Sequence, residues 1–185
     1  MYKISTRSQS IYSTQAILAA FKHLMNFETF EEITITQLCQ YAEVSRPTFY
    51  RHFTTKEDVV ELYLHQIYED VFNLNKPQPI MHEVLLIYYQ VILDYKDILT
   101  FIQNNHLDYL LKISVSDILS KFPITNTIQS HPINNEFLID FISSTVCSVL
   151  LLWTKHQFKE SIEDITHITE LFLKDISISK EVLYE

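Results

Sequence analysis

The 185-residue sequence contains no glycine, although average usage would supply about a dozen. Glycine-rich phosphate loops, dinucleotide-binding fingerprints and the G-x-S-x-G motif of serine hydrolases are therefore excluded. Tight turns must be made with Asn, Asp, His or Pro, which favours helices over a β-rich fold. Since no Ser/His/Asp set occurs at motif spacing either, we expect no catalytic residues and no enzyme activity.

Cysteine is scarce as well, and its two occurrences, Cys39 and Cys147, lie in apolar helical patterns rather than in a CxxC pair. We interpret both as small buried residues, because burial away from cations raises the pKa of a thiol. The eight histidines are scattered, and none forms an H-x3-H or HExxH pattern. We therefore expect no metal and no cofactor. With no secretory leader recognised, the expected location is the cytoplasm.

Long apolar runs are missing too. The most apolar stretch, residues 137–153, is interrupted by Asp140 and by several hydroxyl residues. It is also shorter than the roughly 20 residues that a bilayer requires. This pattern predicts a buried helix of the protein core.

Charge is unevenly distributed in this acidic chain of formal net charge −9. Residues 1–56 carry six Lys/Arg against four Glu, a net +2, whereas residues 57–185 carry eight Lys/Arg against nineteen Asp/Glu, a net −11. The Debye length is only about 8 Å at physiological salt, so attraction to an anionic polymer is a local matter. An overall acidic protein can thus still bind such a polymer through a basic end.

The spacing of apolar residues is three and four throughout, which predicts an all-α chain of about nine helices. We expect a first helix at 10–27, two short helices capped by Thr34 and Ser45, and a longer helix that ends near Leu74. Prolines 77 and 79 then interrupt the pattern. Five more helices are expected at about 80–94, 96–104, 106–121, 135–157 and 162–176. The predicted domains are an N-terminal head of three helices (1–56), a connecting helix (57–75) and a helical body (76–185).

The segment "SRPTFYRHF", residues 45–53, carries the strongest functional signal. With Ser45 as N-cap and Pro47 in the first turn, Phe49 and Phe53 face inward. The outer side is then expected to hold Pro47 with the polar and cationic residues Arg46, Thr48, Arg51 and His52. They would lie near a helix N-terminus, whose partial positive charge favours phosphate. Two short helices with such an outer face indicate a helix-turn-helix.

Residues 17–62, "ILAAFKHLMNFETFEEITITQLCQYAEVSRPTFYRHFTTKEDVVEL", resemble the TetR family of bacterial transcriptional repressors. The resemblance implies that Thr34 and Thr36 touch phosphate and that Tyr50 and Lys56 grip the flanking backbone. It also implies that five residues lie in or beside the major groove: Ser45, Arg46, Pro47, Thr48 and His52. One departure is Glu43, where most members have Gly, and a left-handed residue there would cost on the order of 1 kcal/mol.

The C-terminal stretch "LLLWTKHQFKESIEDITHITELF", residues 150–172, resembles one subgroup of small regulators that includes the activator of a dihydroxyacetone kinase operon. Gln157 stands where that subgroup usually has Gly.

The last two helices carry apolar residues on more than one side, which predicts a four-helix interface between two copies. The candidate interface residues are Ile139, Ile142, Val146, Val149, Leu150, Ile165, Ile168, Leu171 and Phe172. A homodimer would place two recognition helices about 34–36 Å apart, on a near-palindromic operator.

Four aromatic residues of the body are candidates for an apolar effector pocket, with plain core packing as the alternative: Tyr88, Phe101, Tyr109 and Phe141. The predicted function is that of a repressor bound to double-stranded DNA and controlled by a small-molecule effector. The alternatives are a helical protein-interaction module and an orphan regulator without an effector.

Overall fold

The computed structural model describes residues 8–72, 81–120 and 135–182, and within these ranges it contains nine α-helices and no strand. In chain order they are α1 (Ser8–Leu24), α2 (Ile35–Tyr41), α3 (Arg46–His52), α4 (Glu57–Phe72), α5 (Met81–Leu93), α6 (Lys96–Asn104), α7 (Asp108–Leu119), α8 (Asn135–Lys155) and α9 (Ile162–Val182). The predicted all-α class is confirmed. The first helix ends at Leu24, three residues earlier than predicted, and both the 75/76 boundary and the loop from Pro123 to Pro132 lie outside the described residues.

Helices α1, α2 and α3 form the head, in which each helix contacts the other two. Its core consists of apolar side chains that are spaced three or four apart along each helix, among them Phe21, Leu38, Phe49 and Phe53, all at most 1% exposed. Helix α4 begins in the head, contacts α1, and continues to α5 and α7 of the body. The buried side chains of head and body belong to one continuous cluster. The head is thus packed onto the body.

The body is built on two helix pairs, α5 with α9 and α7 with α8, and α6 lies against α8. Two large aromatic residues, Tyr89 and Trp153, are fully buried and meet edge to face with ring centroids 5.8 Å apart. Their polar atoms are satisfied, because the Tyr89 hydroxyl lies 2.7 Å from the Thr169 hydroxyl and Trp153 Nε1 donates to the Glu160 carbonyl at 3.1 Å. Truncating a buried Trp typically costs about 3–5 kcal/mol. We infer that this pair is a main source of the stability of the body.

Glu43 shows how the chain turns between α2 and α3 without glycine. Its N–H donates to the Gln40 carbonyl at 3.2 Å, and the next N–H, that of Val44, donates to the Cys39 carbonyl at 3.0 Å. These two bonds define a Schellman motif, in which the first residue past the C-cap is left-handed and is usually glycine. The φ of Glu43 is accordingly 53°. The left-handed Glu43 considered from the sequence is therefore present, with its cost of about 1–2 kcal/mol.

The same motif ends two helices of the body. His106 (φ 55°) follows α6 and Gln157 (φ 58°) follows α8, and each begins the same pair of backbone hydrogen bonds. The residue after each of them is apolar and packs on the core, as a Schellman motif favours. These three motif positions, and also Phe158 (φ 55°) directly after Gln157, are left-handed residues that carry a Cβ atom, which destabilises that conformation.

Helix α8 has one buried side and one exposed side. By length and composition alone its segment Glu136–Lys155, of mean hydropathy 1.8, is the one candidate membrane span among the described residues. It contacts α6, α7 and α9. Its inward side chains Ile142, Val146, Leu150 and Trp153 are buried there. These contacts bury one side of the helix in the body, but only 39% of the span is buried in all, so the fully buried helix expected from the sequence is observed on this side alone.

Candidate DNA-binding surface

The start of α2 is held by a capping box. The Thr34 side chain accepts from the Gln37 N–H at 3.2 Å, and Gln37 Oε1 accepts in turn from the Thr34 N–H at 2.8 Å. The side-chain nitrogen of Gln37, Nε2, donates to both carboxylate oxygens of Glu28, at 3.0 and 2.9 Å. Thr34 and Thr36 are exposed. The cap thus fixes two hydroxyl residues at the surface of the head.

The start of α3 is capped by Ser45, as predicted. Its hydroxyl accepts from the Thr48 N–H at 3.3 Å and lies 2.9 Å from the Thr48 hydroxyl. Pro47 sits in the first turn, where its missing N–H removes no helical hydrogen bond. The exposed side of α3 carries Ser45, Arg46, Pro47, Tyr50 and Arg51, with Thr48 half-buried beside them. We call these six residues the recognition face.

Arg46 and Tyr50 are neighbours one helical turn apart on the recognition face. Arg46 Nη2 donates to the Tyr50 hydroxyl at 3.5 Å, and the guanidinium carbon lies 6.0 Å from the centre of the Tyr50 ring. This hydrogen bond raises the pKa of the Arg46 guanidinium. The Tyr50 ring itself rests edge-on against the buried Phe49, with centroids 5.5 Å apart. The Tyr50 side chain thus lies against both Arg46 and the buried Phe49.

His52 does not lie where the sequence places it, and the expectation that it faces outward is wrong. His52 is only 3% exposed, and its ring atom Nδ1 lies 3.4 Å from the hydroxyl of Ser10 on α1. The physical reason is helical spacing. Phe49, His52 and Phe53 are related as i, i+3 and i+4, so they share the face that packs on the head core. His52 is thus a core residue in this structure.

Lys56 also lies away from the position that the family resemblance implies. Its ammonium donates to the Phe30 carbonyl, to the Ile33 carbonyl at 3.0 Å and to the Glu31 carbonyl at 3.4 Å. The same nitrogen lies 4.3 Å from the centre of the Phe30 ring. The side chain is half-buried. Its contacts are therefore with the segment that leads into α2.

The head meets the body at Phe30. Its N–H donates to Asn105 Oδ1 at 2.7 Å, and Asn105 Nδ2 donates to the Phe101 carbonyl at 2.8 Å. The Phe101 ring is edge-on to both Phe21 (5.6 Å) and Phe30 (6.4 Å). On the other side of α6, Gln103 Nε2 donates to the Leu151 carbonyl of α8 at 2.9 Å. Helix α6 therefore connects α8 with the segment between α1 and α2, which sequence reasoning did not detect.

The four aromatic residues predicted to line an effector pocket have different surroundings. Phe101 belongs to the contact between head and body, and Tyr88 is buried edge-on against Tyr89 at 5.2 Å. Tyr109 and Phe141 are each 51% exposed. The structure does not support a pocket lined by all four.

The predicted dimer residues divide into two groups. Ile142, Val146, Leu150 and Ile165 are buried in the body core, so the expectation that they face a second copy is wrong. Ile139 and Val149 are half-buried. The exposed large apolar residues of α8 and α9 include three predicted interface residues, one residue predicted for the effector pocket (Phe141), and two that sequence reasoning missed: Ile168, Leu171, Phe172, Phe141, Phe137 and Leu152. We call these six residues the apolar face, and Phe137, Phe141 and Leu152 share one side of α8 because they are four and eleven residues apart.

The two cysteines are buried and free, as predicted. Burial raises the pKa of the Cys39 thiol and that of the Cys147 thiol, the latter to about 12. Both are therefore thiols rather than thiolates at neutral pH, which makes them poor nucleophiles. Among the described residues no group of three His, Cys, Asp or Glu side chains could hold a metal ion.

Comparison with known proteins gives a match in the same region. Residues 17–63 match the family model "Bacterial regulatory proteins, tetR family". A curated relative, the "HTH-type dhaKLM operon transcriptional activator DhaS" of Lactococcus lactis subsp. lactis (strain IL1403), is 28% identical over 67 residues. That alignment spans 36% of this chain and 36% of the relative, about a third of each.

Solved structures extend the similarity to most of the chain. The structure of DhaS has a TM-score of 0.60 at 19% identity and covers 91% of this chain and 98% of its own. Lin0861 from Listeria innocua has a TM-score of 0.77 at 14% identity, with 94% and 96% covered. Thermus thermophilus FadR, described as a TetR-family transcriptional repressor in complex with lauroyl-CoA, has a TM-score of 0.59 at 19% identity, with 86% and 92% covered. At these identities the similarity shows the fold.

Proposed function

We propose that this chain, whose residues 17–63 match the TetR family model, is a DNA-binding transcriptional regulator that binds a near-palindromic operator as a homodimer. The observation that carries the proposal is the recognition face, which presents cationic, hydroxyl and aromatic groups on an exposed side of α3. An operator of two half-sites follows from two-fold symmetry, since each copy presents one such face.

Phosphate and base contacts have different roles at this surface. Contacts to phosphate supply much of the affinity and make it dependent on salt. Thr34 and Thr36 lie at the start of α2, where family resemblance implies phosphate contact. Arg46 and Thr48 are the residues we propose for reading bases, and each good contact contributes about 1–3 kcal/mol of discrimination. His52 is left out of this set because it is buried.

The apolar face is the surface we propose for dimerisation. Phe137 is 72% exposed, Phe141 51% and Phe172 59%, and such side chains are costly to leave in water on neighbouring helices. If α8 and α9 of two copies pair through this face, the interface is a four-helix arrangement and is self-complementary. The core residues Ile142, Val146, Leu150 and Ile165 would then support the interface from behind.

The direction of regulation is a separate question from DNA binding. Repression, implied by the family, stays a prediction, and the curated relative is named as an activator. Occupying an operator is common to both outcomes, so the position of the operator relative to the promoter decides between them. Expression of a reporter gene placed behind the operator, compared with and without this protein, shows whether the protein represses or activates.

Control by a small molecule also stays a prediction. A ligand shifts the equilibrium between two arrangements of the heads only by its difference in affinity for them. One protein with this fold was solved with lauroyl-CoA, and we propose an apolar effector for this body without specifying its identity.

The test of the proposed function is selection of genomic DNA fragments by the purified protein. We expect a near-palindrome among the bound fragments, and binding that weakens steeply as salt is raised. We further expect Arg46→Ala to reduce the preference for the operator over unrelated DNA. Unchanged sequence preference in Arg46→Ala would contradict the base-reading role.

Two alternative functions predict different results in the same experiments. A helical protein-interaction module would show little dependence of binding on salt and would sediment as a monomer. An orphan regulator without an effector would bind its operator unaffected by any ligand. Sedimentation and a salt series therefore separate the first alternative from the proposal before an effector is sought.

A further inference from the structure

Lys56 is the residue immediately before α4, and its half-buried side chain places the ammonium against backbone carbonyls of the segment between α1 and α2. An ammonium has three N–H donors and no acceptor. The three nearest acceptors of Lys56 are the carbonyl oxygens of Phe30, Glu31 and Ile33. The number of acceptors therefore equals the number of donors.

The three carbonyls belong to the segment that immediately precedes Thr34. Thr34 is the N-cap of α2, and Thr36 follows it in the first turn. Residues 29–33 are not helical, so their position is set by the contacts they make with their neighbours. Lys56 contributes three hydrogen bonds and a cation–π contact with the Phe30 ring at 4.3 Å. Since Lys56 directly precedes α4, its side chain joins the start of α4 to the segment that leads into α2.

From this geometry we propose that Lys56 is a positioning residue for DNA binding, one that fixes the start of α2 so that Thr34 and Thr36 meet the phosphates. The proposal rests on the proposed function of the head and replaces the direct phosphate contact that the family resemblance implies. In this arrangement Lys56 affects the affinity through α2. It releases few counterions of its own.

Two variants separate positioning from a direct phosphate contact. Lys56→Met removes the charge and the donors while keeping the aliphatic length. Lys56→Arg keeps the charge, but its planar guanidinium does not reproduce three donors that converge on one segment. A direct phosphate contact tolerates or prefers Arg, because Arg binds phosphate with two parallel hydrogen bonds. Positioning requires the ammonium.

The main measurement is operator affinity over a series of salt concentrations. The logarithm of the binding constant falls with the logarithm of salt with a slope of about −0.9 for each neutralised phosphate. Loss of a direct contact from both subunits would thus make the slope shallower by about 1.8. For Lys56→Met we expect a loss of affinity of about tenfold with the slope unchanged. Arg51→Met, which removes one exposed cation of the recognition face, is the matched control, and we expect it to make the slope shallower.

Lys56→Arg gives the second measurement. Because it keeps the charge and a long side chain, it is the variant that we expect to disturb the fold less. We expect it to bind the operator more weakly than the wild type despite the unchanged net charge. A double-mutant cycle with Thr36→Val adds the third readout. If Lys56 acts through α2, Thr36→Val costs less affinity in the Lys56→Met protein than in the wild type. Circular dichroism melts show that each variant is folded at the assay temperature.

The outcomes are distinct. A slope that becomes shallower by about 1.8 in Lys56→Met, full affinity in Lys56→Arg, or additive effects with Thr36→Val would each overturn the proposal. If the wild-type protein shows no salt-dependent affinity for any duplex, the proposed function itself fails, and this result is recognised before any Lys56 variant is compared.

Discussion

Replacing Glu43 by Gly should stabilise the protein and strengthen DNA binding for two separate reasons. Glu43 has a φ of 53° at the position of a Schellman motif that glycine normally occupies. The Cβ atom costs about 1–2 kcal/mol in this conformation. This gain is partly offset, because glycine increases the conformational entropy of the unfolded chain and so lowers the free energy of unfolding by about 0.4–1 kcal/mol. The difference lies between zero and about 1.6 kcal/mol, and we expect a net gain in the free energy of unfolding near the middle of this range, about 0.5–1 kcal/mol.

The gain should be visible as a change in melting temperature. For a chain of this size 1 kcal/mol corresponds to about 2–4 °C, so we expect a rise of about 1–4 °C. The measurement is a melt by circular dichroism or calorimetry at one fixed protein concentration, because the melting temperature of a dimer depends on concentration. Urea unfolding gives the free energy independently.

The second reason is electrostatic. Glu43 is exposed in the turn between α2 and α3, three residues before the first residue of α3. A negative charge about 10 Å from a phosphate costs about 0.4 kcal/mol in water before salt screening. Its removal should therefore improve operator affinity by less than about twofold for each head.

Glu43→Gln separates the two effects, because it removes the charge and keeps the Cβ atom. We expect the Gln variant to gain affinity with an unchanged melting temperature and the Gly variant to gain both. Asn, which tolerates the left-handed region, should fall between them in stability. A Gly variant that melts no higher than the Gln variant would show that the left-handed residue is not a source of strain.

Three further predictions concern the body, the start of α4 and the apolar face. Asn105→Ala should leave the Phe30 N–H without its acceptor and destabilise the protein by about 1 kcal/mol. It should also speed the exchange of amide hydrogens in the segment between α1 and α2, as measured by mass spectrometry. Unchanged exchange would contradict the contact. Asp58 is buried, which alone would raise the pKa of its carboxyl, but hydrogen bonds from the N–H groups of Thr54 (2.5 Å) and Thr55 (3.1 Å) lower that pKa overall. The contribution of the Asp58 carboxylate to stability should therefore be present above the unfolded pKa of about 3.9 and be lost as the pH falls through the lower folded pKa. Asp58→Asn should remove about 0.5–2 kcal/mol of stability at pH 7 and flatten the dependence of unfolding on acid pH. Phe141→Asp should give a folded monomer in sedimentation experiments, whereas Tyr12→Asp, a similar change at an exposed residue of α1, should leave the oligomeric state unchanged; a Phe141→Asp dimer would contradict the proposed interface.

The local features of the head follow from the sequence because they depend on neighbours in the chain. Thr34 and Ser45 are recognised as caps from residues three positions away, and the inward spacing of Phe49 and Phe53 needs only the period of the helix. The polar character of His52 favours an outward position, whereas its spacing of three residues from Phe49 indicates the core. Its partner, Ser10, lies 42 residues away, so no local pattern reveals the contact.

The candidate sites in the body depend on packing that the sequence does not contain. Helix α8 is apolar on several sides, and the positions of α6, α7 and α9 decide which side remains exposed. This is why Leu150 was expected at an interface and Phe137 was missed. Phe101 looked like a pocket residue for the same reason. The contact partners of its ring, Phe21 and Phe30, belong to a distant segment.

The three Schellman motifs without glycine, at Glu43, His106 and Gln157, lie between α2 and α3, between α6 and α7, and between α8 and α9. None of them is a residue that we propose to touch DNA or a second copy. Substitution there alters the rigidity of the connections while the contact surfaces remain as they are. Evolution can therefore change the stability of these turns one at a time without altering the residues that we propose for DNA binding or dimerisation.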